Sequence, residues 1–392
     1  MGIENTFQNK FGRSPSIFVR APGRVNLLGE HVDYNEGLVL PAAIDRVVHL
    51  AAVPAQEGVV SIFAADLDDQ ATFRIADLND RVDINGNPLP SWACYPAGVA
   101  WVLREAGFSV SGMQAVLTSE VPIGSGLSSS AAIEVGFAVL WQAMGGWKIP
   151  RLELAQRCQR AENVYVGVSC GLMDQFASAC GVEGHALCFD TRSLEYVLAP
   201  LPEGTAIVIA DSGVRRSLSN SAYNDRRRAC EKAVEELRKY MPEIHSLRDV
   251  QPTEYAAYAT YLTDEVRKRG EHVVKEIARV HSALSALRRN DKQAFGALMF
   301  AGHNSLRNLY EVSTRELDVL VDIARSLPGI IGARLTGAGF GGCTVNLIEA
   351  EFSEAFIDNL AIGYAKETGQ QAQVYLCKAS QGASVESRSI PE

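Results

Sequence analysis

The chain has 392 residues, 47% of them hydrophobic and 21% charged, with a formal net charge of −9. This is ordinary globular composition at a length that allows two domains, and it excludes extended disorder and a strongly basic nucleic-acid surface. The eight cysteines are scattered without a C-x-x-C pair, no signal-peptide pattern is visible, and no apolar run reaches the roughly 18 residues of a membrane span, so reduced thiols in a cytoplasmic protein are expected.

In chain order, Ile17 to Arg20, Leu38 to Val53, Val59 to Ala64 and Ala71 to Ile75 are predicted strands, because β-branched or alternating runs are separated there by Gly, Pro and Asp/Asn turns. Trp92 to Glu105 reads as helix and Gln114 to Thr118 as strand. The glycine- and serine-rich segment Val121 to Ala132 follows, then a helix-like run from Ile133 to Met144. Arg151 to Val166 has helical apolar spacing, and Leu172 to Ala179 reads as a short helix after a break at Gly171. Pro200-Leu-Pro-Glu-Gly204 separates two strand-like runs, Ala186 to Phe189 and Ala206 to Ala210, and is the best domain boundary, which divides the chain into 1–204 and 205–392. Residues 221–327 are predicted mostly helical, with Arg226-Arg227-Arg228 read as a solvated helix face. The strand-like runs Ile330 to Leu335, Thr344 to Leu347 and Ala372 to Cys377, with a helix from Ser353 to Lys366, make an α+β ending.

Val121 to Ala132 looks like a phosphate cradle. Glycines let backbone approach an anion, and a helix starting at the serines aims free N–H groups and its positive dipole end at the same point. Taken alone, the segment also reads as a capped helix start. No G-x-x-x-x-G-K-[ST] occurs, so an ordinary P-loop is excluded. Gly337 to Gly342 satisfies G-x-G-x-x-G, yet a strand pattern follows it where a dinucleotide site needs a helix, so a tight glycine turn between strands is expected. Arg24, Glu30, His31 and Asp33 fall within ten residues of an otherwise apolar stretch, as a polar pocket requires.

Together these segments resemble the signatures of the GHMP small-molecule kinases, and within them the galactokinase branch. The stretch Ala21 to Pro41 is similar to its sugar signature, Val121 to Ala132 to the ATP loop, and Gly337 to Cys343 to the third glycine motif. Cys170 to Phe176 resembles the catalytic segment, Ser221 to Arg227 the later sugar-contact helix, and Tyr375 to Ala383 the C-terminal pattern. The departures are Val32 where Thr is usual, and Ser125 and Ala338 at positions of small residues. The Tyr34-Asn-Glu-Gly37 continuation favours galactose over N-acetylgalactosamine. An intact Ser130-Ala131 step favours an enzyme over the family's non-catalytic regulators.

The resemblance implies an α+β two-domain GHMP kinase fold. Its N-terminal domain would be ribosomal-protein-S5-domain-2-like, its C-terminal domain ferredoxin-like, and the active site would lie in the cleft between them. It further implies a monomeric enzyme that transfers the γ-phosphate of ATP to the C1 hydroxyl of α-D-galactose with Mg²⁺. Asp174 and Arg24 are carried over as catalytic: a carboxylate that accepts or orients the hydroxyl proton, and a guanidinium that offsets charge on the phosphoryl group. Glu30, His31, Asp33, Gly171 and Tyr223 are carried over to the sugar, with His31 equally readable as a bridge between backbone groups. Gly124, Ser125, Gly126, Leu127, Ser128, Ser129, Ser130 and Ala131 are carried over to ATP. Ser130 and Glu162 are carried over to Mg²⁺, and Ser129 could exchange roles with Ser130.

Overall fold

The computed structural model describes residues 2–55, 58–215 and 219–386. The side chains of residues 219–221 are outside that description, which leaves out Ser221 of the sugar-contact motif. The N-terminal half is built on a sheet of six strands. These are β1 (Ile17–Asn26), β3 (Pro41–Pro54), β4 (Val59–Ala64), β5 (Asp69–Arg74), β6 (Met113–Ser119) and β13 (Ser384–Val385), in the order β13-β1-β3-β6-β4-β5. Strand alternation separates its two faces. Phe18 faces helix α1 (Ile3–Phe11) and joins Phe7, Ala51, Phe63 and Val116. Its neighbour Val19 belongs to the main core on the other face. There pack α2 (Cys94–Glu105), α3 (Ser129–Gly145), α4 (Arg151–Arg160) and α5 (Met173–Cys180). The run read as one strand from Leu38 is two: β2 (Leu38–Val39) pairs with β7 (His185–Asp190), and β8 (Tyr196–Pro200) completes that three-stranded sheet.

A four-stranded sheet follows, ordered β10-β11-β9-β12, from β9 (Thr205–Asp211), β10 (Ile330–Thr336), β11 (Cys343–Glu349) and β12 (Gln373–Cys377). Helices α10 (Arg315–Ser326) and α11 (Ser353–Thr368) cover it, burying Leu320, Val321, Phe356, Leu360 and Tyr364 against Val208, Ala333 and Ile348. Between β9 and β10 run α6 (Ser219–Leu237), α7 (Pro252–Tyr258), α8 (Asp264–Arg288) and α9 (Lys292–Ser305), as the helical reading of that region requires.

The cut at residue 204 falls between β8 and β9, which lie in different sheets. One part of 205–392 does not stay with its own half. After β12 the chain returns to the first sheet, where Ala379 bridges to Ile44 and β13 pairs with β1 through Val19↔Val385. The last two described residues of strand thus complete the N-terminal sheet.

Candidate active site

Strand β1 makes the first site residue available through a defect in its own pairing. Its register with β3 shifts between Pro22 and Arg24, and a bulge of this kind redirects the side chain beside it. Arg24, 4% exposed, thus meets Asp174 in the first turn of α5. Its Nε and Nη2 donate to the two Asp174 oxygens at 2.8 Å each, and Nη1 donates to the Gly126 carbonyl at 2.5 Å. Two parallel bonds fix the carboxylate's plane as well as its position.

The glycine-serine loop arrives from β6. Ser128 precedes α3 in a left-handed conformation, φ 60°, and makes no side-chain cap bond. Its hydroxyl donates to Asp174 Oδ2 instead. Ser129 and Ser130 open the helix on the cleft wall, beside Gly124 and Gly126. The structure does not bring the side chains of Ser125, Leu127 and Ala131 there: Leu127 and Ala131 are fully buried, and the Ser125 hydroxyl donates to the Pro122 carbonyl at 2.7 Å. Loop backbone can meet a phosphate at those positions; their side chains cannot. The glycine turn joins antiparallel β10 and β11. It presses on the loop so closely that a Cβ at Gly337, φ 82°, would lie 2.8 Å from the Gly126 oxygen.

The pocket's opposite wall is the turn after β1. Asp33 and Tyr223 face the cleft with Glu30, His31 and Gly171. A side chain at Gly171 would collide with Asp33 Oδ2, so glycine there leaves the carboxylate its place. Burial, then the nearby Asp174 charge, pushes the Asp33 carboxyl up to about 6. Glu30 is 1% exposed and already accepts from Arg334 at 2.9 Å, Asn26 at 2.8 Å and the Gly337 amide at 2.9 Å. Burial outweighs Arg334 and holds its carboxyl at about 7. His31 bridges. Nε2 donates to the Ala338 carbonyl at 3.1 Å, so Nδ1 accepts from Tyr34 at 2.8 Å, and Tyr34 is 2.8 Å from the Tyr310 hydroxyl. It thus joins one backbone carbonyl to a side-chain hydroxyl while lining the cleft, with the ring beside Tyr223 at a centroid distance of 5.5 Å.

Glu162 begins a turn in which α4 widens to π-helical spacing, Ala161–Val166. It is 5% exposed, and burial followed by the Asp174 charge raises its carboxyl to about 7, against hydrogen bonds that include Cys170, Ser130 and Gln175. Oxygen donors of a serine and a carboxylate suit a hard cation. A buried carboxylate crowded by another is a place where a cation would be favoured. Among the described residues no three His, Cys, Asp or Glu side chains form a cage, so such an ion would take its other ligands from phosphate and water.

These walls enclose a cleft of about 810 Å³. Its lining includes an apolar set that sequence reasoning missed: Leu67, Trp92, Tyr95, Leu117 and Ile123, with Leu67 47% and Ile123 59% exposed. These residues are spread over four separate segments, and no local motif marks them. Arg334, fully buried, was missed as well.

Three family models match the chain: the galactokinase galactose-binding signature over residues 5–54, the GHMP kinases N terminal domain over 95–182, and the GHMP kinases C terminal over 283–365. The chain is 45% identical to a galactokinase of Roseiflexus sp. (strain RS-1), covering 97% of this chain and 95% of that protein. It is 42% identical to a galactokinase of Homo sapiens, with 97% and 94% covered. Among solved structures, Lactococcus lactis galactokinase complexed with galactose superposes with a TM-score of 0.91 at 31% identity, covering 97% of this chain and 98% of that one. A mevalonate kinase shares the fold at a TM-score of 0.63 and 18% identity.

Proposed function

Since the chain belongs to the galactokinase family within the GHMP kinases, we propose that the Arg24–Asp174 pair is the reacting centre between an ATP half and a sugar half of the cleft. The enzyme transfers the γ-phosphate of ATP to the C1 hydroxyl of α-D-galactose, giving galactose 1-phosphate and ADP. Asp174 accepts or orients the hydroxyl proton, and its fixed plane means that little rearrangement is needed during reaction. Arg24 spans Asp174 and the loop carbonyl of Gly126, so its charge sits between the attacking and transferred groups.

On the ATP side, backbone N–H groups of the loop and of the first turn of α3 take the phosphates. The apolar lining, Trp92 and Tyr95 with the exposed Leu67 and Ile123, takes the purine by stacking. Ser130 and Glu162 would hold Mg²⁺, with Ser129 the neighbouring hydroxyl, and the ion would supply charge neutralisation at the phosphates. On the sugar side, Asp33 and Tyr223 bind hydroxyls directly. Glu30 adds a wall acceptor already oriented by Arg334, and Gly171 and His31 shape the space. One chain supplies every wall of the cleft, which supports a monomer. The eight cysteines are scattered without a C-x-x-C pair, which supports a reducing, cytoplasmic setting.

The test is ADP release, coupled to a reporter, over galactose, glucose, N-acetylgalactosamine and arabinose, with wild type and Asp174→Ala. Galactose is expected to be strongly preferred and the variant to lose nearly all turnover while melting like wild type. Wild-type turnover by the variant would sink the mechanism, and binding of galactose and ATP without ADP release would make the chain a regulator.

A further inference from the structure

Gln175 and Glu134 take no part in the roles above, and both are fully buried. Gln175 follows Asp174 on α5, and its amide reaches two neighbouring segments at once. Nε2 donates to Glu134 Oε2 of α3 at 3.0 Å and to Glu162 Oε2 at 2.6 Å. The Cys170 thiol lies 3.3 Å from the same Glu162 oxygen. The far oxygens, Gln175 Oε1 and Glu134 Oε1, are buried with no hydrogen-bond partner. Each such orphan is destabilising, whereas an apolar pair of the same shape would be nearly neutral. Folding alone does not select this arrangement.

We infer that Gln175, held by Glu134, is the positioning residue that sets Glu162 for Mg²⁺; the inference rests on Glu162 as a metal ligand. The chemistry of the clamp fits that task. An arginine at position 175 would orient Glu162 but neutralise it, whereas an amide orients the carboxylate and leaves its charge for a divalent ion. Two acceptors flank Nε2, so the amide has one favourable orientation; the reverse would press Oε1 against a carboxylate. Glu134 stands one helical turn beyond Ser130. The helix that carries the hydroxyl ligand therefore also carries the group that fixes the carboxylate ligand. Partners behind a metal ligand of this kind typically change metal affinity about 10- to 100-fold when removed.

The experiment measures Mn²⁺ affinity of the enzyme–AMP-PNP complex from the free-ion electron paramagnetic resonance signal, beside galactose affinity by calorimetry and a melting curve. Gln175→Leu is expected to weaken Mn²⁺ by about tenfold and Glu134→Gln by less, with galactose affinity unchanged. If Glu162→Gln weakens Mn²⁺ while both clamp variants bind it like wild type, the clamp is overturned and the ligand assignment survives. If Glu162→Gln leaves Mn²⁺ affinity unchanged, the underlying assignment itself fails. Should Gln175→Leu not fold, Glu134→Gln decides alone: weaker Mn²⁺ with wild-type galactose affinity supports the clamp, and wild-type Mn²⁺ affinity overturns it.

Discussion

At the scale of residues, Asp33 shows how burial and a neighbouring charge combine. Its carboxyl is raised from 3.8 to about 6 by burial and by Asp174. A carboxyl raised in the fold favours the folded state fully below its unfolded value, and that advantage is lost as pH rises through the folded value. The free enzyme is thus expected to lose stability between about pH 4 and pH 6, and Asp33→Asn to show less of that loss, as denaturant unfolding at pH 4.5 and 7 will measure. Sugar hydroxyls donate best to the ionised form, so galactose KM should fall over the same interval in wild type. The identity of this residue was legible in the sequence, because Arg24, Glu30, His31 and Asp33 crowd an apolar stretch. Which of them is free to meet a ligand was not. Glu30 is engaged by Arg334, 304 residues away, and His31 by the Ala338 carbonyl, 307 residues away.

At the scale of elements, the start of α3 carries the clearest compromise. Ser128 occupies the capping position, yet its hydroxyl serves Asp174 and makes no cap bond. Ser128→Ala is therefore expected to leave the melting temperature nearly unchanged and to lower kcat by about tenfold, the scale of one hydrogen bond to a charged group. Steady-state kinetics with both substrates varied will show it, with KM for ATP close to wild type. Helices and strands flanking the loop were legible from periodicity, and the glycine turn was correctly read as strand to strand. Three elements escaped. Strand β8 follows the recognised β7 run through a turn at Leu194, φ 63°, without the glycine that signals such a turn. Helix α1 buries only Phe7 and gives a thin apolar pattern. The two residues of β13 are too short to show any period.

At the scale of the whole molecule, Arg334 ties the two halves together. Fully buried on β10, it reaches Glu30 at 2.9 Å and Glu276 of α8 at 2.8 Å, while Glu276 also accepts from the Gly29 amide at 2.9 Å. The paired guanidinium holds the Glu276 carboxyl far below the usual range against its burial. Its contribution is present above about pH 4.5 and fades as pH falls. Removing one partner of a buried pair strands the other, so Arg334→Met should cost about 3–5 kcal/mol in denaturant unfolding and raise galactose KM more than ATP KM. Nothing in the local sequence marks Arg334, because its partners come from the sugar loop and a distant helix. The returning strand has a different consequence. Because Val385 pairs with Val19 and Ala379 bridges to Ile44, the sheet begun by β1 is finished by a strand that follows β12 in the chain. During synthesis this edge stays open until β13 has emerged, so a chain stalled or cut short before β13 carries an unfilled strand position, a mark by which quality control can tell it from the folded enzyme.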